Sequence, residues 1–247
     1  MVRKVAILET DTPVDKIRER YNGGYGVLFQ RLFEECGVAS DVAFEYYQVV
    51  DQEDNYPALD GVDTILITGS KHCCFGEDSW IQKLVDYTSK ALKHPQVKVI
   101  GICFGHQIVG RALGARTGQN PKGWEVASTE VTLTDFGKQL FGDIHGSDKM
   151  FISQMHRDIV LDIPEGTQLV AYNDVCEIQG LYIPHKLITF QGHPEYDGET
   201  VRDIVDVRES LGVFSKEYAE ECRARSKLPQ DGTHIARRCL QDLNLSS

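Results

Sequence analysis

Two near-continuous apolar runs, Val62–Thr68 (VDTILIT) and Val97–Ile102 (VKVIGI), constrain this chain more than anything else in it. They are too short and too β-branched for buried helices, and their apolar residues fall on both faces of an extended chain. A strand of that kind needs cover above and below, as the inner strands of a parallel sheet have. Lys4–Glu9 is a third run of the same type. Helical patterns lie between these runs. Val27–Cys36 puts Leu28, Leu32 and Phe33 on one face, and Trp80–Leu92 does the same with Ile81, Leu84, Val85 and Leu92. Strand and helix alternate, so the first half predicts an α/β fold, a mostly parallel open sheet flanked by helices.

After Gly118 the pattern shortens to Val126–Leu133, Lys149–Ile152, Thr167–Tyr172, Cys176–Ile183 and Lys186–Phe190, with turn residues such as Asp135, Pro164 and Pro184 between them. This predicts a small antiparallel extension. From Glu199 the period is helical again, through Val201, Ile204, Val205 and Leu211, then Phe214, Tyr218 and Cys222, then Ile235, Cys239, Leu240 and Leu243, with a break at Pro229–Gly232. The 247 residues therefore read as one domain, 1–247, with a core at about 2–196 and a helical C-terminal extension at 199–247.

Charge narrows the partners. Against 26 Lys and Arg stand 37 Asp and Glu, a formal net charge of −11, and the basic residues form no stripe. A phosphate backbone would be repelled, so nucleic acid is not expected. The apolar run Val5–Leu8 is too short for a membrane span or a signal sequence, so neither a membrane nor secretion is expected. Seven scattered cysteines, none in a CxxC pair or at metal-ligand spacing, fit a reducing cytoplasm and predict no metal. Neither the GxGxxG nor the Walker spacing occurs, and no organic cofactor is expected. The glycine-rich stretch within Glu9–Gly26 is read as a pocket rim or partner surface.

One of the buried strands runs straight into Gly101-Ile-Cys103-Phe-Gly105-His-Gln107, and the helical stretch Ile108–Ala115 follows. A strand, a tight turn and a helix with glycine two residues either side of a cysteine is a nucleophile elbow. The glycines let strand and helix approach, and Cys103 takes the strained position that exposes its side chain. The positive end of the helix favours the thiolate there. A lone cysteine beside a strand is otherwise a packing residue, and the paired glycines are what separate the two readings.

A cysteine nucleophile needs a base, and the run Leu187–Phe190 ends in Gln191-Gly-His193-Pro194-Glu195. Pro194 disfavours helix at His193, and in an extended segment residues i and i+2 face the same way. His193 and Glu195 then point together, imidazole beside carboxylate.

GICFGHQ followed by QGHPE closely resembles class I glutamine amidotransferases, over roughly Val2–Tyr196. The resemblance implies a flavodoxin-like fold, Cys103 as nucleophile, His193 as general base and acid, and Glu195 as the residue that orients His193. It further implies an oxyanion hole from the backbone N–H groups of Gly69, in Ile67-Thr68-Gly69-Ser70, and of Phe104. Gln107 falls on a substrate-binding position, and Met155 and His156, within Gln154–Asp158, fall near the substrate-binding backbone. The family pattern favours His193 over His156 as base, with His156 a pocket-wall or structural residue and His106 packed beneath the elbow.

The activity so implied is cysteine-dependent hydrolysis of a γ-glutamyl amide through a γ-glutamyl thioester, acting on glutamine or on a γ-glutamyl peptide such as glutathione or its conjugates. About fifty residues follow Glu195 and hold no nucleotide-binding signature, so a free-standing hydrolase is favoured, and the segment Lys122–Val126 (KGWEV) is similar to that of γ-glutamyl peptidases. The alternatives are a glutaminase subunit that delivers ammonia to a separate synthetase, and a non-catalytic cysteine-based redox sensor or binding protein. The vicinal Cys73-Cys74 would suit such redox chemistry, but small residues in a loop after Gly69 are the better explanation of them.

Overall fold

The apolar runs do form strands, and their cover is supplied by helices on both sides. In a computed structural model that describes residues 2–142 and 144–247, β1 (Arg3–Glu9) leads through α1 (Asp15–Tyr21) and α2 (Tyr25–Glu35) to β2 (Val42–Gln48). There follow β3 (Thr64–Ile67), α3 (Ser79–Lys93), β4 (Lys98–Ile102) and α4 (Phe104–Ala112). The second half runs β5 (Thr117–Gln119), β6 (Glu125–Leu133), α5 (Asp135–Phe141), β7 (Lys149–His156), β8 (Asp158–Val160), β9 (Gln168–Leu169), β10 (Ala171–Tyr172), β11 (Leu181–Ile183) and β12 (Leu187–Phe190). Three helices close the chain, α6 (Gly198–Ser210), α7 (Lys216–Arg225) and α8 (Gly232–Asp242).

The main sheet has the order β2-β1-β3-β4-β12-β11-β9. Its first five strands are all parallel, a 2-1-3-4-5 order when counted within themselves, which is the flavodoxin-like arrangement. β11 and β9 continue it antiparallel. The rest of the antiparallel structure stands apart as the sheet β10-β6-β7 and the pair β5-β8. One face of the parallel strands packs Val5, Ile7, Leu66 and Ile100 against α2 and α8, the other packs Ala6, Leu8, Ile65 and Val99 against α3 and α4. Strict alternation along each strand is the reason both faces need cover.

Three segments differ from the sequence pattern. Asp135 begins a helix: the Thr134 hydroxyl accepts from Gly137 N–H at 3.0 Å and caps α5. Within Glu9–Gly26 the residues Asp15–Tyr21 form α1, ended by Asn22 in the left-handed region at φ 52°. Only Leu181–Ile183 of the Cys176–Ile183 run is strand. The Asn173 side chain accepts from the N–H groups of Val175 (3.1 Å) and Cys176 (2.7 Å), and this turn takes the earlier residues out of the ladder.

The C-terminal helices are built into the molecule. Ile235, Ala236, Cys239, Leu240 and Leu243 of α8 belong to the same buried cluster as Val5, Ile7 and Phe190. Gln230, just ahead of α8, donates to the carbonyls of Pro194 and Tyr196 at 3.2 Å and so steadies the HPE segment.

Candidate active site

The carboxyl ends of parallel strands are where an open α/β sheet presents its crevice, and Thr10, Gly69, Cys103 and His193 all follow such ends. The β4–β12 ladder reaches as far as Cys103, whose N–H donates to Phe190 at 2.8 Å. There the backbone turns sharply: Cys103 has φ 51° and ψ −102° and is the residue that caps α4. A non-glycine residue at such angles is strained and is held by its surroundings. The surroundings are close. A Cβ on Gly105 would stand 2.3 Å from the carbonyl oxygen of Ile67, and one on Gly101 would stand 2.8 Å from that of Gly105. Strand and helix meet there because neither glycine carries a side chain.

Gly69, two residues past the end of the neighbouring strand β3, lies against the same point. A Cβ there would lie 2.6 Å from Cε1 of His193, 3.4 Å from its Nε2 and 3.6 Å from Cβ of Cys103. Cys103, His193 and Gly69 are therefore neighbours, and the free edge of the imidazole faces the cysteine side. The Gly69 peptide is fixed from behind, since the Thr10 hydroxyl donates to the Gly69 carbonyl at 2.9 Å and Thr10 N–H donates to the Thr68 hydroxyl at 3.1 Å. Neither Gly69 N–H nor Phe104 N–H donates to another group among the described residues. Two uncommitted donors beside a nucleophile can receive an oxyanion.

On its other edge, His193 Nδ1 lies 2.7 Å from Oε1 of Glu195, and both side chains are buried. Tyr196 stacks on the imidazole at 4.0 Å between ring centres with 4° between planes. The backbone of His193 is pinned too, its N–H donating to Ser153 of β7 at 2.7 Å. Burial pulls the imidazole down, but the neighbouring Glu195 and Cys103 outweigh it and push His193 up to about 10. The ring thus holds its proton at neutral pH.

His156 sits in a second buried pair. Its Nε2 is 2.9 Å from Oε2 of Glu125, and its Nδ1 is 3.2 Å from the carbonyl of Asp158. Burial alone would raise the Glu125 carboxyl, yet His156, Asn173 and Gln179 together hold it below its ordinary value. Both nitrogens of His156 are thus occupied by oxygen acceptors. His106 is fully buried, pulled down to about 3 by burial and by the nearby His156, and its Nδ1 meets the Thr189 hydroxyl at 2.8 Å beneath the elbow. It is neutral at ordinary pH.

A cavity of about 140 Å³ opens at Cys103, with Gln107, Met155 and His156 in its wall. The Gln107 side chain is itself held, donating to the Asp158 carbonyl at 2.7 Å. A smaller recess of about 40 Å³ lies at His193. Asp11 and Tyr25 from the Glu9–Gly26 segment line that recess, so this stretch does reach the site. Cys74 is buried and Cys73 is exposed, with Cys73 in the wall of the larger cavity. Among the described residues no group of three or more His, Cys, Asp or Glu could hold a metal ion, and no helix is long and apolar enough to cross a membrane.

Several residues of the site carry no signal in the sequence. Thr10 looks like any strand-end threonine, and Glu125, though it lies in the KGWEV segment, shows nothing of its partner His156. Arg208, which lines both cavities, belongs to a helix whose pattern announces only its buried face. A long-range contact has no local signature.

The chain matches the family model for glutamine amidotransferase class-I over residues 24–204. It is 38% identical over 240 residues to a glutamine amidotransferase-like protein of Schizosaccharomyces pombe, covering 94% of this chain and 95% of that one. It is 34% identical over 212 residues to gamma-glutamyl peptidase 3 of Arabidopsis thaliana, covering 84% of this chain and 83% of the relative. Among solved structures, a glutamine amidotransferase from Thermotoga maritima superposes with a TM-score of 0.77 over all of both chains at 18% identity, which speaks for the fold.

Proposed function

Because this chain belongs to the class I glutamine amidotransferase family, we propose that it is a cysteine-dependent hydrolase of γ-glutamyl amide bonds, with γ-glutamyl peptides as its substrates. The observation that carries this reading is the meeting of a strained, elbow-mounted Cys103 with an imidazole that is backed at 2.7 Å by a buried carboxylate. The peptide preference draws on the Arabidopsis relatives, gamma-glutamyl peptidases 2 to 5, at 31–34% identity.

In this mechanism the Cys103 sulfur attacks the γ-carbonyl carbon, and the carbonyl oxygen becomes an oxyanion received by the N–H groups of Gly69 and Phe104. One such donor is worth about 2.7–4 kcal/mol in comparable sites. His193 gives its proton to the departing nitrogen, the C–N bond breaks, and a γ-glutamyl thioester remains. Water then attacks the thioester while His193 takes its proton. The C–S bond breaks, glutamate leaves and the thiolate is restored. Glu195 keeps the imidazole oriented and balances its charge throughout. No step calls for a metal or an organic cofactor. Gln107, Met155 and His156 wall the space for the glutamyl end.

The test is glutamate release by the purified protein from glutathione and from glutamine, with Cys103→Ser as the blank. Release from glutathione, lost in the variant, is the expected result. Release from glutamine alone replaces the peptidase reading with an ammonia-producing glutaminase. No release from either, while Cys103 still alkylates readily, supports a redox sensor in place of the hydrolase.

A further inference from the structure

The two cavities at the site share Ser70, Lys71, Met155 and Arg208, so they are two bays of one mouth. Chemistry tells them apart. His193 must protonate the departing nitrogen, so the leaving group lies on the side of the smaller bay, and the glutamyl end lies with Cys103 and Gln107 in the larger. At about 40 Å³ the smaller bay holds little more than that nitrogen. The rest of any larger leaving group would extend outward, past the residues common to both bays.

Two of those shared residues are cationic, and they differ in how their charge is used. Lys71 is already paired with Asp11 at 2.5 Å. Arg208 projects from the last turn of α6 with its guanidinium 5.4 Å from the centre of the Trp124 ring. Its side chain is half-buried and makes no ion pair or hydrogen bond among the described residues. Three nearby arginines do otherwise: Arg20 reaches Asp203 at 2.5 Å, Arg202 reaches Glu199 at 3.5 Å and Arg223 reaches Asp206 at 2.8 Å, while Arg157, which lines only the larger bay and is also unpaired among the described residues, is exposed. On a chain with eleven more acidic than basic residues, a partly buried guanidinium left without a carboxylate is held for one that arrives. Its guanidinium lies over the indole within cation–π range, a contact that uses none of its N–H donors and leaves them for a carboxylate.

From this placement we infer that Arg208 binds the free carboxylate of the leaving group, so that the enzyme selects γ-glutamyl amino acids and peptides ending in a carboxylate over the corresponding amides. The inference rests on the γ-glutamyl hydrolase reading and deepens it. Glutamine, whose leaving group is ammonia, gains nothing from Arg208. The glutamyl α-carboxylate is common to acid and amide substrates, so comparing the two isolates the leaving-group end.

The experiment measures kcat/KM for γ-glutamyl-alanine and γ-glutamyl-alanine amide, with wild type, Arg208→Gln and Arg208→Lys. In parallel, the affinities of Cys103→Ala and of Cys103→Ala/Arg208→Gln for both compounds are measured by calorimetry. Wild type should favour the acid by roughly 10- to 100-fold, as a charge-assisted pair would. Arg208→Gln should bring the ratio to about 1, Arg208→Lys should recover part of it, and the same ordering should appear in the affinities. Loss on acid and amide alike overturns the inference, placing Arg208 at the glutamyl end or in a role limited to packing on Trp124, and a fall in melting temperature marks the packing case. Equal handling of acid and amide by wild type overturns it while leaving the hydrolase standing. Absence of turnover, with Cys103→Ala still binding the acid through Arg208, overturns the hydrolase and keeps the carboxylate site. Binding of neither compound overturns both.

Discussion

Two buried imidazole–carboxylate pairs stand in this one site, and they are built for different work. His193 and Glu195 lie 2.7 Å apart, two residues apart in the chain, with the far edge of the ring open toward Gly69 and Cys103. His156 and Glu125 lie 2.9 Å apart, with the second ring nitrogen closed off by the Asp158 carbonyl. A ring with one nitrogen anchored and one free can move a proton, whereas a ring with both anchored is a strut. Burial and a carboxylate partner alone therefore do not identify a base; what the second nitrogen faces decides it.

The sharpest way to break the contrast is His193→Gln. The expected loss in kcat is about 10⁴-fold, because the proposed mechanism makes this ring the proton donor and acceptor of both half-reactions. A loss below tenfold in steady-state hydrolysis would move the base elsewhere. Next comes Glu125→Ala, which leaves His156, Asn173 and Gln179 with unmet partners in the interior. It should cost about 3–5 kcal/mol of stability in urea denaturation, and a cost below about 1 would mean that the pair is no strut. Glu195→Gln should lower kcat by about 10²-fold, less than His193→Gln, since orientation is impaired while the proton carrier stays.

The last contrast lies in the pH dependence of stability, where the two pairs should act at opposite ends and each pH step changes little. His193 is raised from 6.5 to about 10 in the folded chain, so between those values the folded state binds more protons than the unfolded one. Its contribution is complete below pH 6.5 and is lost as pH rises toward 10, at no more than about 1.4 kcal/mol per pH unit. Glu125 is lowered from 4.5, so its contribution is present above that value and is lost as pH falls below it. Denaturation curves across pH should show Glu195→Gln flattening the alkaline limb and Glu125→Gln the acid limb. Both variants flattening the same limb would show that the pairs titrate as one network.

How much of this was legible follows from how far each feature reaches along the chain. The elbow is local: two glycines around Cys103, a β-branched strand before it and a helix after it specify the turn within a few residues. The His193–Glu195 pair is also local, but a turn and not the extended segment expected from Pro194 brings it together: Pro194 and Glu195 lie in a turn in which Tyr196 N–H donates to the His193 carbonyl at 3.4 Å. The parallel sheet was legible because strands buried on both faces have an unmistakable composition. The helix α5 and the turn at Asn173 were missed although their signals were short-range, because a hydrophobic period hides caps and side-chain turns.

The strut required more. Glu125 meets His156 only because β6 and β7 pair antiparallel in the register that puts those two residues opposite each other. No local preference distinguishes this register from its neighbours, and the alternation of apolar residues fixes only which face each residue takes. Arg208 likewise looks like an ordinary basic residue at a helix end until α6 packs across the mouth of the site.

The sequence alone determined the sheet, the elbow and the paired His193 and Glu195, because sterics and chirality act over neighbouring residues. Only the tertiary structure decided which histidine has a free nitrogen, which N–H groups stay uncommitted and which guanidinium waits without a partner. The Asp158 carbonyl that closes the second nitrogen of His156 is two residues away, but the Glu125 contact that anchors the first joins residues 31 apart, and Arg208 meets Trp124 only through the packing of α6.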